Sequence, residues 1–228
     1  MVYDNVVPGV FLHRPNRFIA EVEIGGVPVV AHVKNTGRCK ELLVPGAKIY
    51  LSESANPKRS TKYDLISVWK RQRLINMDSQ APNRVLGEYL QEGSYIKGIT
   101  LIKPEATYQG SRFDFYIEAG TRKIFIEVKG VTLEREGVAM FPDAPTERGV
   151  KHLNDLAACI SHGYEAQAIF VVQMEEALYV TPNNETHPAF GAALTAAVKA
   201  GVVATAFSCH VTENSLAIKN HLPVYGIA

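Results

Sequence analysis

Three residues near the middle of the chain have the types and spacing of a hydrolytic metal site. Asp114 lies in Arg112-Phe113-Asp114-Phe115-Tyr116, and Glu127 and Lys129 lie in Lys123-Ile124-Phe125-Ile126-Glu127-Val128-Lys129. Strand alternation puts Phe113, Phe115 and Ile117 on one face with Asp114 on the other. In the second segment Ile124, Ile126 and Val128 share a face, so Glu127 and Lys129 emerge together opposite them. Gly120, in the short link Ala119-Gly120-Thr121, can serve a tight turn, so the two strands are expected to pair antiparallel and bring two acids and a lysine together. Carboxylates are hard oxygen ligands suited to Mg²⁺ or Mn²⁺, with positions left for water and phosphate oxygens. Lys129 could orient or deprotonate an attacking water, or offset charge on a pentacovalent phosphate. With 23 acids in the chain, roughly one acid-x-Lys triplet is expected by chance, so the apolar strand context carries the signal. A solvated salt bridge would use the same three residues.

The elements that must position this set follow from pattern changes after Asp78. Arg84 to Gly93 has Val85, Leu86, Tyr89 and Leu90 at helical spacing with Gly93 as a stop. Strands are expected over Ile96 to Lys103, Arg112 to Glu118 and Lys123 to Lys129. Thr146 is a candidate cap for a helix whose apolar face is Val150, Leu153, Ala157 and Ile160, ending near Gly163. A strand over Ala166 to Gln173, a helix over Phe190 to Ala200 and a strand over Val202 to Val211 complete the order α-β-β-β-α-β-α-β, a mixed sheet flanked by helices. On the second of these helices, Lys151 lies four residues after Glu147, so a plain i,i+4 pair competes with phosphate contact; Arg148 could reach nucleic acid. Asp143 and Glu147 flank Pro145, where acids also suit the helix dipole. His152 has no evident chemical role from spacing.

The first 80 residues read differently. Arg17 to Ile24 alternates, Gly25-Gly26 supplies a turn, and Val27 to Val33 returns as the second strand of a hairpin. Arg38 to Leu43 could form one or two helical turns. Ala47 to Leu51, Tyr63 to Lys70 and Arg73 to Met77 bring the count to five short strands, the pattern of a small β-barrel of which the OB-fold is one kind. This part carries 12 Lys+Arg against 7 Asp+Glu, while residues 81–228 carry 12 against 16. A basic module beside a carboxylate-rich one fits phosphate binding next to a metal site. Arg38, Lys40, Lys58, Arg59 and Lys62 are candidates for backbone phosphates, and Trp69 or Tyr63 for stacking on an unpaired base. The expected organisation is therefore residues 1–80 as a nucleic-acid-binding barrel and 81–228 as the sheet module. Apolar residues make 46% of the chain, enough for a sizeable core, and no apolar run reaches bilayer length. Without a secretory pattern at its start, the chain is expected to be cytoplasmic, with no membrane partner. Cys39, Cys159 and Cys209 form no CxxC pair and signal neither a disulfide framework nor a cysteine zinc site.

SRFDFYIE, IFIEVKGVTLE, FPDAPTERGVKHL and GYEAQAIFVVQ together resemble the sugar fermentation stimulation protein A family, and RFIAEVE, VKNTGR and NSLAIKNHLPV extend the similarity over essentially the whole chain. The resemblance implies an α/β (α+β) architecture: an OB-like barrel followed by a domain similar to the PD-(D/E)xK nucleases. It also implies a DNA-binding protein linked to sugar metabolism. By it, Asp114, Glu127 and Lys129 take the D, E and K roles, and Glu88 resembles the additional acid that such nucleases place near the metal. Phe113 stands where the proline of the pattern would be, which leaves the carboxylate in place. The expected activity is Mg²⁺- or Mn²⁺-dependent cleavage of DNA; the alternative is a non-catalytic DNA-binding regulator of sugar (maltose) metabolism genes.

Overall fold

The computed structural model describes residues 1–35 and 37–227. Strands β1 (Val6–Asn16), β2 (Ile19–Ile24), β3 (Val27–Val33), β4 (Lys48–Glu53) and β5 (Tyr63–Lys70) are bonded in the order β3-β2-β1-β4-β5. Parallel pairing of β3 with β5 joins the two ends into a closed five-stranded barrel. β6 (Arg73–Asn76) extends it as a hairpin on β5. The sequence pattern finds five strands but takes β6 for one of the closing five and overlooks β1. Pro8, Gly9 and Pro15 hide that strand's alternation. A side chain at Gly9 would meet the Glu23 carbonyl oxygen at 2.9 Å, so a bare backbone is needed where β1 crosses its neighbour. The β2–β3 turn is as anticipated: Gly25 and Gly26 both take positive φ, 58° and 82°, as a two-residue hairpin turn requires. Residues 40–42 form a single turn, the Leu42 and Leu43 N–H groups both donating to the Cys39 carbonyl.

The second part is built on a six-stranded mixed sheet. After α1 (Ala81–Gln91) come β7 (Ile99–Tyr108), β8 (Ser111–Ala119), β9 (Arg122–Val131), β10 (Leu133–Arg135), β11 (Val138–Phe141), α2 (Glu147–Ser161), β12 (Glu165–Val172), β13 (Tyr179–Pro182), α3 (Pro188–Lys199), β14 (Val203–Val211) and β15 (Leu216–Leu222). The sheet order is β15-β14-β12-β9-β8-β7, with β9, β12 and β14 parallel and both outer hairpins antiparallel. One apolar cluster under α1 contains Leu86, Phe115, Ile124 and Ile126. The other runs from the barrel interior to the layer under α2 and α3. β10, β11 and β13 make a small separate sheet; strands of three or four residues are too short to show a period. Thr146 caps α2 by accepting from the Gly149 N–H at 3.0 Å. The helix is rolled from its anticipated face: Gly149, His152, Leu153, Leu156 and Cys159 are buried, while Val150, Ala157 and Ile160 lie half-buried at the flank. That roll turns His152 toward the sheet.

Polar groups tie the barrel to the sheet module. Lys34 Nζ lies 2.6 Å from Asp78 Oδ2, and the Tyr3 hydroxyl donates to the same oxygen at 3.2 Å. Gln173 Nε2 donates to Asn76 Oδ1 at 2.9 Å and to the Asp78 carbonyl at 3.0 Å. A second tie is Glu134 on β10, bonded by Arg73 at 2.7 Å, Lys70 at 3.1 Å and the Gly137 N–H at 2.6 Å. Burial opposes the charge of Glu134, but these donors outweigh it and hold the carboxyl at about 2, below its ordinary 4.5. A depressed carboxyl stabilises the fold above its unfolded-state pKa and loses that contribution as pH falls through the folded value. Glu134→Gln should therefore unfold at lower urea at pH 7, by about 2 kcal/mol, and its deficit relative to wild type should shrink between pH 5 and pH 2. A deficit constant across that range would show that the charge of Glu134 is not what these contacts recognise.

Candidate active site

β8 and β9 pair regularly from Ala119↔Arg122 to Phe115↔Ile126, and then the ladder changes character. The Val128 N–H donates not to a backbone carbonyl but to Asp114 Oδ2, at 2.7 Å. Opposite this point Glu105 of β7 has φ +54°, between the in-register pairs Pro104↔Phe115 and Ala106↔Phe113. Phe113 joins the cluster under α2, its ring 5.2 Å from that of Phe125. Phe115 and Ile117 belong to the cluster under α1. The expectation of one shared face for these three residues is thus corrected: the strand twists at Asp114, whose carboxylate bonds to the neighbouring strand's backbone.

The other Asp114 oxygen accepts from Asn83 Nδ2 at 2.6 Å, in the first turn of α1. That turn can lie close because residue 130 is glycine: a Cβ there would meet Pro82 Cγ at 2.7 Å. Glu127, its side chain 5% exposed, accepts through Oε1 from Lys129 Nζ at 2.7 Å and from His152 Nδ1. Arg148 Nε donates to His152 Nε2 at 3.3 Å; since a guanidinium only donates, the imidazole accepts there and carries its proton on Nδ1, facing Glu127. Burial raises the Asp114 carboxyl, and the nearby Glu127 charge raises it further. For Glu127 burial also opposes ionisation, but the bonds from His152 and Lys129 prevail and lower it. The remaining oxygen, Glu127 Oε2, is buried without any hydrogen-bond partner. A purely structural ion pair this deep normally satisfies both oxygens; an orphaned, charged one has the chemistry of a cation ligand.

The remaining candidates are distributed around this centre. Glu88 shares a cleft of about 430 Å³ with Asn83 and Asp114, but its oxygens engage the Met1 ammonium at 2.5 Å and Arg84 at 3.5 Å. Among the described residues no three His, Cys, Asp or Glu side chains converge as a ready-made metal cage. Lys151 does not pair with Glu147: it bonds Asp155 at 2.7 Å and Ser111 at 2.6 Å, and Glu147 faces His187 at 3.2 Å. Asp143 lines a small cavity of about 120 Å³ with Asn35, Gly130 and Gln173. His152, Asn83 and Arg148 form the supporting shell, and spacing alone would not have assembled it, because each meets its partner only through the tertiary fold.

On the barrel, Arg59 forks onto Asp64 at 2.6 and 2.8 Å and Lys62 pairs with Glu53 at 3.0 Å. Among the described residues Lys58, Arg38 and Lys40 have no carboxylate within 4 Å. Trp69 and Tyr63, expected to stack on bases, are half-buried and packed against the apolar clusters.

The fold and site define an OB-type barrel joined to a mixed-sheet module that carries an acid-acid-lysine set at the start of β9's exit from the sheet. Residues 12–77 match the family described as SfsA N-terminal OB domain, and residues 80–215 the one described as Sugar fermentation stimulation protein RE domain. The chain belongs to the sugar fermentation stimulation protein family. Among curated relatives, a sugar fermentation stimulation protein homolog of Desulfitobacterium hafniense (strain Y51) is 59% identical, the alignment covering 95% of this chain and 94% of the relative. The Clostridium beijerinckii homolog is 55% identical over 98% and 99%. A solved structure described as Pyrococcus furiosus SfsA in complex with Ca²⁺ is similar at 28% identity and a TM-score of 0.86, covering 99% of this chain and 98% of that one.

Proposed function

We propose that the protein is a metal-dependent nuclease in which Asp114 and Glu127 hold a divalent cation and Lys129 serves the attack on a nucleic-acid phosphodiester. The observation that carries this reading is Glu127 Oε2, a buried carboxylate oxygen without a partner, beside a second carboxylate. The similar Pyrococcus furiosus protein is described in complex with Ca²⁺, another hard cation, which supports an oxygen-ligand site on this scaffold. When bound, Mg²⁺ or Mn²⁺ would supply Lewis-acid polarisation of the phosphate and make water a better nucleophile near neutral pH. The chain's own residues do the rest. Asn83 and the Val128 N–H fix the Asp114 carboxylate. His152, steadied by Arg148, holds Glu127 Oε1 so that Oε2 stays free. Lys129 has N–H donors beyond the one given to Glu127, available to a phosphate oxygen on which charge develops.

The test is incubation of purified protein with labelled single-stranded and duplex DNA and RNA in Mg²⁺, Mn²⁺ or EDTA, alongside calorimetric titration of each metal. Cleavage is expected with Mg²⁺ or Mn²⁺ and none in EDTA, and Glu127→Gln should weaken metal binding at least ~10-fold, since a charged ligand becomes neutral. Tight DNA binding with no cleavage of any substrate would reject the nuclease and favour the regulator of sugar-metabolism genes.

A further inference from the structure

The barrel carries a groove of about 580 Å³ whose wall includes Phe11, Leu43 and Pro45 and whose rim includes Arg17, Arg38 and Lys40. The three rim cations are exposed, and among the described residues none has a carboxylate within 4 Å. Beneath them Arg14 donates to the carbonyls of Gly37 and Arg38 at 2.9 Å, Asn35 at 2.7 Å and Arg17 at 2.5 Å. One buttressing guanidinium thus fastens the loop bearing Arg38 to the end of β1. Phe18, next to the groove residue Arg17, is 45% exposed, with the Arg17 guanidinium over one face of its ring, 4.9 Å from the centroid.

From this arrangement we infer that the groove binds one strand of unpaired nucleic acid, with phosphates along Arg17, Arg38 and Lys40 and a base against Phe18. The inference rests on the nucleic-acid reading above and specifies strandedness and site. A duplex offers phosphates to the outside and keeps its bases stacked, so the apolar wall and the exposed ring would go unused. An unpaired strand has both faces of each base free for stacking, and a planar ring with an adjacent guanidinium is the surface that accepts it. The groove also borders the sheet module. Its Gly37 abuts Asp143, so closely that a Cβ would lie 2.5 Å from the carboxylate. Asp143 in turn shares the small cavity between the modules with Gly130, the neighbour of Lys129.

Fluorescence anisotropy in EDTA, with labelled oligothymidylate and oligouridylate of about 12 nucleotides, a length within OB-fold site sizes, and a duplex of equal length, tests the assignment. The expected result is at least ~10-fold tighter binding of a single strand than of duplex, with the DNA and RNA arms showing which sugar is preferred. Phe18→Ala should weaken single-strand binding roughly tenfold, and Phe18→Trp should restore it. The triple substitution of Arg17, Arg38 and Lys40 by Ala should flatten the salt slope by about two, as three phosphate contacts on a single strand predict. Circular dichroism on each variant separates lost binding from lost fold, and the half-exposed position of Phe18 leaves the core intact. Equal or tighter binding of duplex, or indifference to Phe18→Ala in folded protein, overturns the proposal. Because binding is read in EDTA, either result leaves the cleavage reading standing, and failed cleavage leaves this one standing.

Discussion

Lys129→Met should lower metal-dependent cleavage by ~10²-fold or more, the scale of a positioned acid–base or electrostatic group, while folding and nucleic-acid binding stay near wild type. Methionine keeps most of the aliphatic stem in a site where Lys129 is 12% exposed, so packing is conserved and the ammonium alone is removed. Glu127 keeps its bond from His152 and therefore its position. Metal affinity should hold or rise slightly, because a cation that competes for Glu127 is gone. The informative readout is thus a collapse of turnover without a matching loss of calorimetric metal binding. If Lys129→Met and Asp114→Asn cleave as fast as wild type, the activity belongs to another site or a contaminant.

The second large effect concerns stability at the joint. Lys34→Met should destabilise the protein by about 3 kcal/mol, because it leaves the Asp78 carboxylate, 2% exposed, without its cation. For a chain of this size that is a fall in Tm of roughly 6–12 °C. The bonds from Tyr3 and from the Gln80 N–H at 2.9 Å remain, which keeps the cost below the upper end for a broken buried pair. The double variant Lys34→Met with Asp78→Asn should recover much of the loss, since no uncompensated charge then remains. A fall of less than about 1 kcal/mol in the single variant would mean that the pair behaves like an exposed one.

Elements with strong local punctuation were legible in the sequence. Gly25-Gly26 marks the β2–β3 turn, Thr146 caps α2, and Gly93, at φ +67°, ends α1. The acid-acid-lysine set could be found because an apolar strand frames it. What escaped depends on contacts between distant parts of the chain. β1 was hidden by its prolines, and its pairing with β4 is set by closure of the barrel rather than by period. His152 looked idle because Glu127, 25 residues away, meets it only after α2 rolls onto the sheet. The rings singled out for stacking, Trp69 and Tyr63, are drawn into apolar packing, while Phe18, in phase with the buried Ala20 and Val22 but one residue before β2 begins, is 45% exposed. The basic loop at Lys58 to Lys62 seemed free because its neutralising partners, Asp64 and Glu53, sit on flanking strands.

The carboxylate of Asp114 completes a strand ladder, whereas the ammonium of Lys129 touches only a side chain. Under mutational drift the two positions should therefore behave differently. If the site hydrolyses phosphodiesters as proposed, a lineage that ceases to need that activity is free to lose the lysine at little cost to folding. Loss of the aspartate would open the β8–β9 seam at Val128, so purifying selection on the folded state alone would retain it. Among descendants of this fold, an aspartate surviving without its lysine is the expected mark of a retired catalyst, and the reverse pattern should be rare.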